Sequence, residues 1–317
     1  MRFMRVWCRS GEWPDRHLAA WLFVFGGLLA VLTQQVRASE PVSFVDDAGQ
    51  VIQVETPARR IVALSPHITE LLYFVGAEAV LVGVAQASDF PPAAKRLPAV
   101  ASHSDINLEA LLRLKPDAVI AWGRGAANPK LDRLKSLGIR VIYSDPQSLA
   151  GIADNMQWMS MLAGTEAQAQ PAIDAWRVRL AQIEQSVGPV SEPRNDAVSV
   201  FYQVWDKPLM TVNRRHLISQ AISLCGGRPL FAELPLLTPT VSIESVVRAN
   251  PDVILYTRDA ESRIDWGKAW MAWKNIRAVS ANHVFSLPPD LLVRAGPRFL
   301  DGVERVCQVL GRVKDAR

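Results

Sequence analysis

Short apolar runs alternate with helical patterns along most of the chain after residue 60. In the first half, four runs have the length and the flanking turn residues that are typical of buried strands. These predicted strands are 61–64, 80–85, 118–122 and 139–143. Apolar residues recur with helical spacing between them, at 69–75, 108–114 and 129–137. Strands that alternate with helices predict a parallel or mostly parallel sheet.

A long helical zone follows this first alternation. One helix is predicted at 149–162 and a second at 165–187, where Thr165 and Gln168 have the form of a capping box. At 1.5 Å per residue, the second helix spans about 33 Å. The alternation then resumes, with strands at 197–204 and 253–257, a helix at 216–225, a Trp-rich helix and a last helix from Arg298 onward.

An internal repeat relates the two halves of the chain. Asn107–Trp122 and Ser242–Thr257 align at one constant offset, and their apolar positions match throughout. The charged and turn residues that are identical in the two copies are Glu109 and Glu244, Arg113 and Arg248, Pro116 and Pro251, and Asp117 and Asp252. In each copy a helix ends, Pro-Asp makes a turn, and a buried strand follows.

The repeat and the long helix together predict an α/β protein of two similar lobes. Each lobe has a mostly parallel central sheet, and one long backbone helix joins the two. Ligand sites prefer the cleft between such lobes. We expect an N-terminal lobe at 39–148, a helical linker at 149–189 and a C-terminal lobe at 190–317.

Residues 1–38 have the composition of a secretory signal peptide. Arginines precede an apolar run of about 15 residues, and Val36 and Ala38 stand at positions −3 and −1 of a cleavage site. The alternative is an uncleaved membrane anchor, for which the run is short, since a span needs about 20 residues. Export predicts a periplasmic protein.

Charge and composition exclude several classes of protein. Apolar residues make up 49% of the 317 and charged residues 21%, which is typical of a globular chain rather than a disordered one. The net charge of +4 comes largely from the leader, because 30 of the 35 basic and 29 of the 31 acidic residues follow residue 38. A nearly neutral mature chain does not favour nucleic acid as a partner.

Two cysteines remain after the leader, Cys225 and Cys307. An even number in an exported chain suits a disulfide bond, which would close a loop of 82 residues. Two buried free thiols suit the same sequence, and the residues alone leave both alternatives open.

Several stretches resemble the periplasmic solute-binding proteins of ABC importers whose lobes are joined by a single backbone helix. The resemblance covers residues 58–312 and is carried by the order and spacing of its motifs. They are Arg60–Pro66, Thr69–Leu71, Gly83–Val84, Ser88–Pro92, Asn107–Trp122, Leu224–Gly227 and Asp290–Arg298. Members bind corrinoids, haem, ferric siderophores or, in one branch, zinc and manganese, and these motifs are most similar to the corrinoid branch.

The resemblance implies a non-enzymatic, monomeric carrier without a resident cofactor. It implies that cobalamin or a related corrinoid is captured in the cleft and delivered to a permease and ATPase complex in the inner membrane. Haem or a ferric siderophore is the alternative cargo. Glu109 and Glu244 match the two glutamates with which family members dock on basic pockets of the permease, and Cys225 and Cys307 match a disulfide of the corrinoid branch.

The same resemblance implies where the ligand is held. Trp122 matches an aromatic residue that flanks the corrin, and Asp290 and Arg294 match polar residues at its amide edge. Four positions that carry large aromatic residues in this branch hold other residues here: Ala87, His103, Met210 and Thr238.

Three histidines raise metal binding as a further hypothesis. His103 is either a polar residue at the rim of the cleft or a ligand to the metal of a tetrapyrrole. His67 and His216 follow strand ends in the two lobes, and the alternative is that they join His103 in a zinc or manganese site. We expect no metal-ion site.

Two other side-chain patterns complete the candidate chemistry. Ser65, His67 and Asp89 have the residue types of a hydrolase triad, without the Gly-x-Ser-x-Gly motif that would support one. The regular spacing of Arg294, Arg298, Arg305 and Arg312 predicts one solvated helix face, with only Arg294 near the cleft.

Overall fold

Two sheets of parallel strands organise the part of the chain that the computed structural model describes, residues 42–187, 197–257 and 265–316. The predicted leader, residues 1–38, lies outside these ranges. Within them, none of the helices combines the length and the apolar character that crossing a membrane requires.

The first sheet has five strands, all parallel, in the order β5-β4-β3-β6-β7. An antiparallel hairpin precedes it. The strands are β1 (Val42–Val45), β2 (Val51–Val54), β3 (Ile61–Ala63), β4 (Leu81–Ala85), β5 (Ala99–Ala101), β6 (Ala118–Trp122) and β7 (Arg140–Ser144). The helices that connect them are α1 (Pro66–Phe74), α2 (Leu108–Arg113) and α3 (Pro129–Ser136), with 3-10 turns at Glu78–Val80 and Pro92–Arg96.

Two helices lead from this sheet to the second. They are α4 (Leu149–Ala163) and α5 (Glu166–Val187). Gly164 ends α4 in the left-handed conformation, with φ of 70°, and so lets the chain reverse. The predicted capping box is wrong, because the Thr165 hydroxyl is buried without a hydrogen bond to any described residue. Helix α5 is stabilised by packing instead, through a buried stripe of Ala169, Ile173, Trp176, Leu180 and Ile183.

The second sheet has four strands, all parallel, in the order β11-β8-β12-β13. The strands of this region are β8 (Val198–Gln203), the short hairpin β9 (Trp205–Asp206) and β10 (Leu209–Met210), β11 (Gly227–Pro229), β12 (Val253–Thr257) and β13 (Val284–Leu287). Its helices are α6 (Leu217–Leu224), α7 (Ile243–Ala249), α8 (Trp266–Trp270), α9 (Arg277–Ser280), α10 (Pro289–Leu292) and α11 (Phe299–Asp315).

The predicted fold class is confirmed: two α/β lobes carry parallel central sheets. The N-terminal sheet and the C-terminal sheet lie on either side of α4 and α5 in the sequence. The lobe boundaries proposed from the sequence stay predictions. The hairpins β1–β2 and β9–β10 and the edge strands β5, β11 and β13 were not among the predicted elements.

The sequence repeat is also a structural repeat. Asn107 and Ser242 cap α2 and α7 by accepting a backbone N–H three residues on. The Pro-Asp turns then bind the neighbouring strand in the same way, since Asp117 accepts the Arg60 N–H and Asp252 accepts the Ser199 N–H. The repeated aspartate therefore fixes the start of a central strand in each lobe.

A disulfide bond joins Cys225, just after α6, to Cys307 in α11, with a Cα–Cα distance of 4.7 Å. The pairing implied by the resemblance is thus confirmed. It covalently links two helices that pack on the C-terminal sheet. In the chain-entropy account, closing a loop of 82 residues stabilises the fold by roughly 4.5 kcal/mol.

A buried carboxylate connects the two lobes. Glu70 lies in α1 of the N-terminal lobe, and its side chain is 2% exposed. Its two oxygens accept hydrogen bonds from Arg298 Nε at 3.0 Å and Nη2 at 2.8 Å. Arg294 Nη1 donates a third hydrogen bond, at 3.1 Å. A buried carboxylate is stabilised only when it is paired in this way.

The prediction that four arginines form one solvated helix face is wrong at Arg298. Its guanidinium lies 3.7 Å from the centre of the Phe90 ring and forms the bidentate pair with Glu70. Arg305 and Arg312 are exposed on α11, as predicted, but Arg294 and Arg298 lie in the segment before that helix and pack against the other lobe. A partner more than 200 residues away in sequence leaves no periodic signal.

A chain of polar groups lies inside the N-terminal lobe. Ser65 Oγ and His67 Nδ1 are 2.8 Å apart, His67 Nε2 and Ser144 Oγ are 3.1 Å apart, and Ser144 Oγ donates to Asn155 Oδ1 at 2.6 Å. Because Ser144 gives its hydrogen to Asn155, it accepts the His67 Nε2–H, and His67 Nδ1 accepts from Ser65. Burial lowers the pKa of His67 to about 4, so the ring is neutral.

We expect Glu70→Gln to lower the free energy of unfolding by about 3–5 kcal/mol, because it leaves Arg294 and Arg298 half-buried without their shared counter-charge. Urea unfolding at neutral pH measures the change. Glu304→Gln is the matched control: Glu304 pairs with Arg179 at 2.8 Å, but both side chains are about two-fifths exposed, so the cost should stay under about 1 kcal/mol. Equal, small losses in both variants would show that apolar packing alone holds the lobes together.

Candidate ligand-binding site

A cavity of about 420 Å³ lies at the carboxyl ends of the N-terminal strands. Its first wall comes from residues at or just after the ends of β3 to β7: Leu64–His67, Ala85–Ala87, Ser102 and His103, Trp122, and Asp145–Gln147. The facing wall belongs to the C-terminal lobe: Arg215–Leu217, Leu237, Leu292–Ala295 and Phe299. In open α/β sheets, ligands bind at this edge, and the volume is within the usual range of about 300–1,000 Å³.

Trp122 is the most prominent aromatic side chain of the cavity. It ends β6, and it is 64% exposed although it stands in the wall of a cleft. Its Nε1–H donates to Asp145 Oδ1 at 3.2 Å. A large apolar face that is exposed yet held in one orientation is typical of a stacking surface.

The carboxylate that orients Trp122 is itself fixed. The Asp145 backbone N–H donates to Asp47 Oδ2 at 2.5 Å, and Asn155 Nδ2 donates to the same oxygen at 2.9 Å. Burial raises the pKa of Asp145 and outweighs the lowering effect of the Trp122 hydrogen bond. Through Asp47 in its turn, the hairpin β1–β2 therefore helps to hold Asp145 and Trp122 in position.

Arg294 lies where the cavity meets the contact between the lobes. Besides Glu70 it pairs with Asp89 at 2.6 Å and with Asp290 at 3.3 Å, and it donates to the Ala87 carbonyl at 3.3 Å. Burial alone would raise the pKa of Asp89, but the Arg294 hydrogen bond and charge hold it below its usual value. This guanidinium thus has a fixed position on the cavity wall.

The structure brings together four of the seven residues proposed for ligand binding. Ala87, His103, Trp122 and Arg294 line the cavity. Asp290 is not in the wall but contacts Arg294. Met210 and Thr238 are half-buried outside the wall, because β10 pairs with β9 and Met210 bridges to Thr240.

Sequence reasoning missed other residues of the wall. Val293 and Leu237 are apolar and 63% and 43% exposed at the cavity. Arg215 and Gln147 add polar groups there. All four lie in loops, where no periodicity marks a buried or a ligand-facing side, so the sequence held no signal for them.

The three histidines proposed as a metal site line this one cavity, but their ring nitrogens differ. Both nitrogens of His67 are hydrogen-bonded within the polar chain described above. His216 Nδ1 accepts the Ile218 N–H at 3.2 Å, and burial lowers its pKa to about 4. In the described ranges of the chain, no three His, Cys, Asp or Glu side chains form a group that could hold a metal ion.

The residues of the hypothetical hydrolase triad do not assemble as one. Ser65 contacts His67, but the other ring nitrogen of His67 contacts Ser144. Asp89 is paired with Arg294 instead. A triad needs the carboxylate on the histidine to orient and stabilise it, and this arrangement does not provide that contact.

Glu109 and Glu244 lie on the surface at equivalent places in the two lobes. Each is exposed in the first turn of its helix, α2 or α7, two residues after the capping residue. A carboxylate in a first helical turn is favoured by the helix dipole. The geometry therefore presents one negative side chain per lobe.

Comparison with known proteins agrees with this architecture. The family model described as periplasmic binding protein matches residues 61–291. The vitamin B12-binding protein of Vibrio cholerae serotype O1 is 38% identical over 255 residues, 80% of this chain and 90% of that protein. The crystal structure of the periplasmic vitamin B12 binding protein BtuF of Vibrio cholerae matches with a TM-score of 0.72 and 37% identity, covering 81% of this chain and 98% of that one.

A haem-binding protein is similar in fold alone. The periplasmic heme binding protein from Pseudomonas aeruginosa matches with a TM-score of 0.68 at 24% identity, covering 80% of this chain and 92% of that one. The matched family model, the cleft between two parallel-sheet lobes and the identity to the Vibrio cholerae protein lead to one assignment. The chain belongs to the periplasmic binding protein family.

Proposed function

We propose that this protein captures cobalamin or a related corrinoid in the cavity between its lobes and delivers it to an ABC importer of the inner membrane. The observation that carries the proposal is Trp122, an exposed indole held in one orientation by Asp145 at the edge of a cavity that both lobes line. Similarity to vitamin B12-binding proteins over most of the chain supports the same ligand class.

The cavity suits recognition by shape and by a few polar contacts. The Trp122 face packs on the flat macrocycle, and Val293 and Leu237 add apolar contact from the C-terminal lobe. Arg294, already surrounded by Glu70, Asp89 and Asp290, is better matched to neutral amides than to a ligand carboxylate, because its charge is compensated. A corrin edge carries such amides.

Haem is the second candidate cargo, and one residue favours it. Arg215 lines the cavity and makes no ion pair with any described residue. An uncompensated guanidinium suits a propionate of haem. The ferric siderophore alternative has no such observation in its favour.

Delivery needs a surface that the importer recognises. We assign this role to Glu109 and Glu244, the exposed pair that the sequence repeat relates. Two negative side chains, one on each lobe, bind best when their spacing matches two basic pockets on the permease. Docking would then depend on how the lobes sit around the ligand.

We also propose a chemical role and a cellular location for the protein. The protein acts as a carrier rather than an enzyme, it needs no resident cofactor, and the corrinoid is its cargo. Residues 1–38 direct export to the periplasm and are removed at Ala38.

Calorimetric titration of residues 39–317 tests the ligand, with cyanocobalamin as the first probe and haemin as the parallel one. We expect tight one-to-one binding of cyanocobalamin. Tight binding of haemin with no heat from cyanocobalamin would contradict the corrinoid assignment while leaving the carrier role in place.

Trp122→Ala should weaken corrinoid binding by roughly 1–3 kcal/mol, about five- to 150-fold in Kd, because it removes the stacking face. Trp205→Ala is the matched control, since Trp205 is 54% exposed but lies outside the cavity wall. Calorimetry on both variants gives the comparison. Equal Kd values for Trp122→Ala and wild type would place the ligand elsewhere.

Glu109→Lys with Glu244→Lys should abolish uptake of the corrinoid in cells and leave its Kd for the purified protein unchanged, because both side chains lie outside the cavity wall. The matched control is Glu55→Lys with Glu184→Lys. Both residues are exposed, and this double variant changes the net charge by the same amount. Uptake assays in a strain without its own binding protein measure the effect. Loss of affinity in the first double variant would mean that these glutamates shape the pocket instead.

A further inference from the structure

His103 is the histidine of the cavity whose ring is not engaged. His67 has a hydrogen bond at each ring nitrogen, and His216 accepts a backbone N–H at Nδ1, so its neutral ring carries the hydrogen on Nε2. His103 is exposed and makes no hydrogen bond to any residue that the structure describes. Its ring nitrogens therefore have no hydrogen-bond partner among the described residues.

The loop that carries His103 is firmly anchored. Residues 102–105 form a tight turn between Ala101 and Ile106, which bridge each other. The Ser102 N–H donates to the Asp105 carbonyl at 2.7 Å, and Ser102 Oγ accepts the Asp105 N–H at 3.1 Å. Lys130 pairs with the Asp105 carboxylate at 2.5 Å. The backbone under His103 is thus fixed, while its side chain lines the cavity.

A single imidazole from the protein is enough for only one kind of metal partner. A bare ion needs several donors from the protein, and the described residues contain no group of three that could hold one. A tetrapyrrole brings four nitrogens of its own and leaves only axial positions open. A single histidine that lines the same cavity as Trp122 meets that need.

We propose that His103 coordinates the metal of the bound tetrapyrrole, an inference that rests on the proposed function. A ring nitrogen of neutral His103 donates its lone pair to the metal, and the water molecule that occupied the axial position leaves. The oxidation state and total charge do not change. The site then prefers a chelate with an exchangeable axial water over one whose axial ligand is cyanide.

Visible absorption spectroscopy with aquocobalamin and cyanocobalamin tests this coordination. We expect wild-type protein to shift the bands of aquocobalamin to longer wavelength, as imidazole replaces water, and to leave those of cyanocobalamin in place. His103→Ala should lose the shift and bind aquocobalamin roughly tenfold more weakly or worse, a larger loss than the same variant shows for cyanocobalamin.

Ser104→Ala is the matched control, because Ser104 is exposed in the same turn but is absent from the cavity wall. It should keep the shift. His103→Gln repeats the test with a polar side chain, and circular dichroism confirms that each variant is folded.

The outcomes separate this inference from the proposed function. Binding of aquocobalamin without a shift, or a shift that persists in His103→Ala, overturns the coordination and leaves the corrinoid carrier in place. A haemin spectrum that depends on His103, without cobalamin binding, supports the coordination and overturns the corrinoid assignment. Failure of both tetrapyrroles to bind overturns both.

Discussion

The pairing of Glu70 with two arginines is the contact on which the rest of the site depends. The carboxylate lies in the N-terminal lobe, whereas Arg294 and Arg298 lie in the segment between α10 and α11 of the other lobe. That same segment supplies Val293–Ala295 to the cavity wall. Because a buried carboxylate cannot remain unpaired without a large cost, the ion cluster fixes the distance between the two walls. The width of the cavity therefore depends on the pairing of the Glu70 carboxylate with these two arginines.

Arg294 serves both the contact and the cavity, and this sharing limits what the cavity can bind. Glu70, Asp89 and Asp290 surround it, while Arg298 adds one more positive charge. The three acids thus compensate the charge of the two arginines at this end of the cavity. A compensated guanidinium attracts an anionic ligand edge only weakly, so neutral amides suit this position better. Arg215, at another position on the C-terminal wall, provides the opposite preference. The polarity of the cavity is therefore asymmetric, which suits a ligand whose edges differ.

Local patterns in the sequence predicted the architecture well, and long-range contacts were hidden from them. The repeat located α2 and α7 and the two Pro-Asp turns, since each depends on neighbours within a few residues. Glu70 left a fainter signal: a charged residue among Ile68, Leu71 and Leu72 in an apolar helix, whose partners lie 224 and 228 residues away. The disulfide was equally non-local, and only the family resemblance chose between a bond and free thiols. Met210 and Thr238 lie outside the cavity wall, and their role in ligand binding stays a prediction.

The small and polar side chains at positions 87 and 103 bear on the physical basis of the proposed ligand binding. Stacking is strong but nearly indifferent to the metal at the centre of a macrocycle, because it acts on the face of the ring. At two positions where the family resemblance implies large aromatic residues, this chain has Ala87 and His103 in the wall. A smaller area of aromatic side chains weakens a stacking contact that any flat ligand would make. The proposed coordination by the His103 imidazole adds a contact that depends on the metal and its axial ligand. With Trp122 as the main stacking face, a substitution of this kind exchanges general affinity for discrimination among chelates of similar shape.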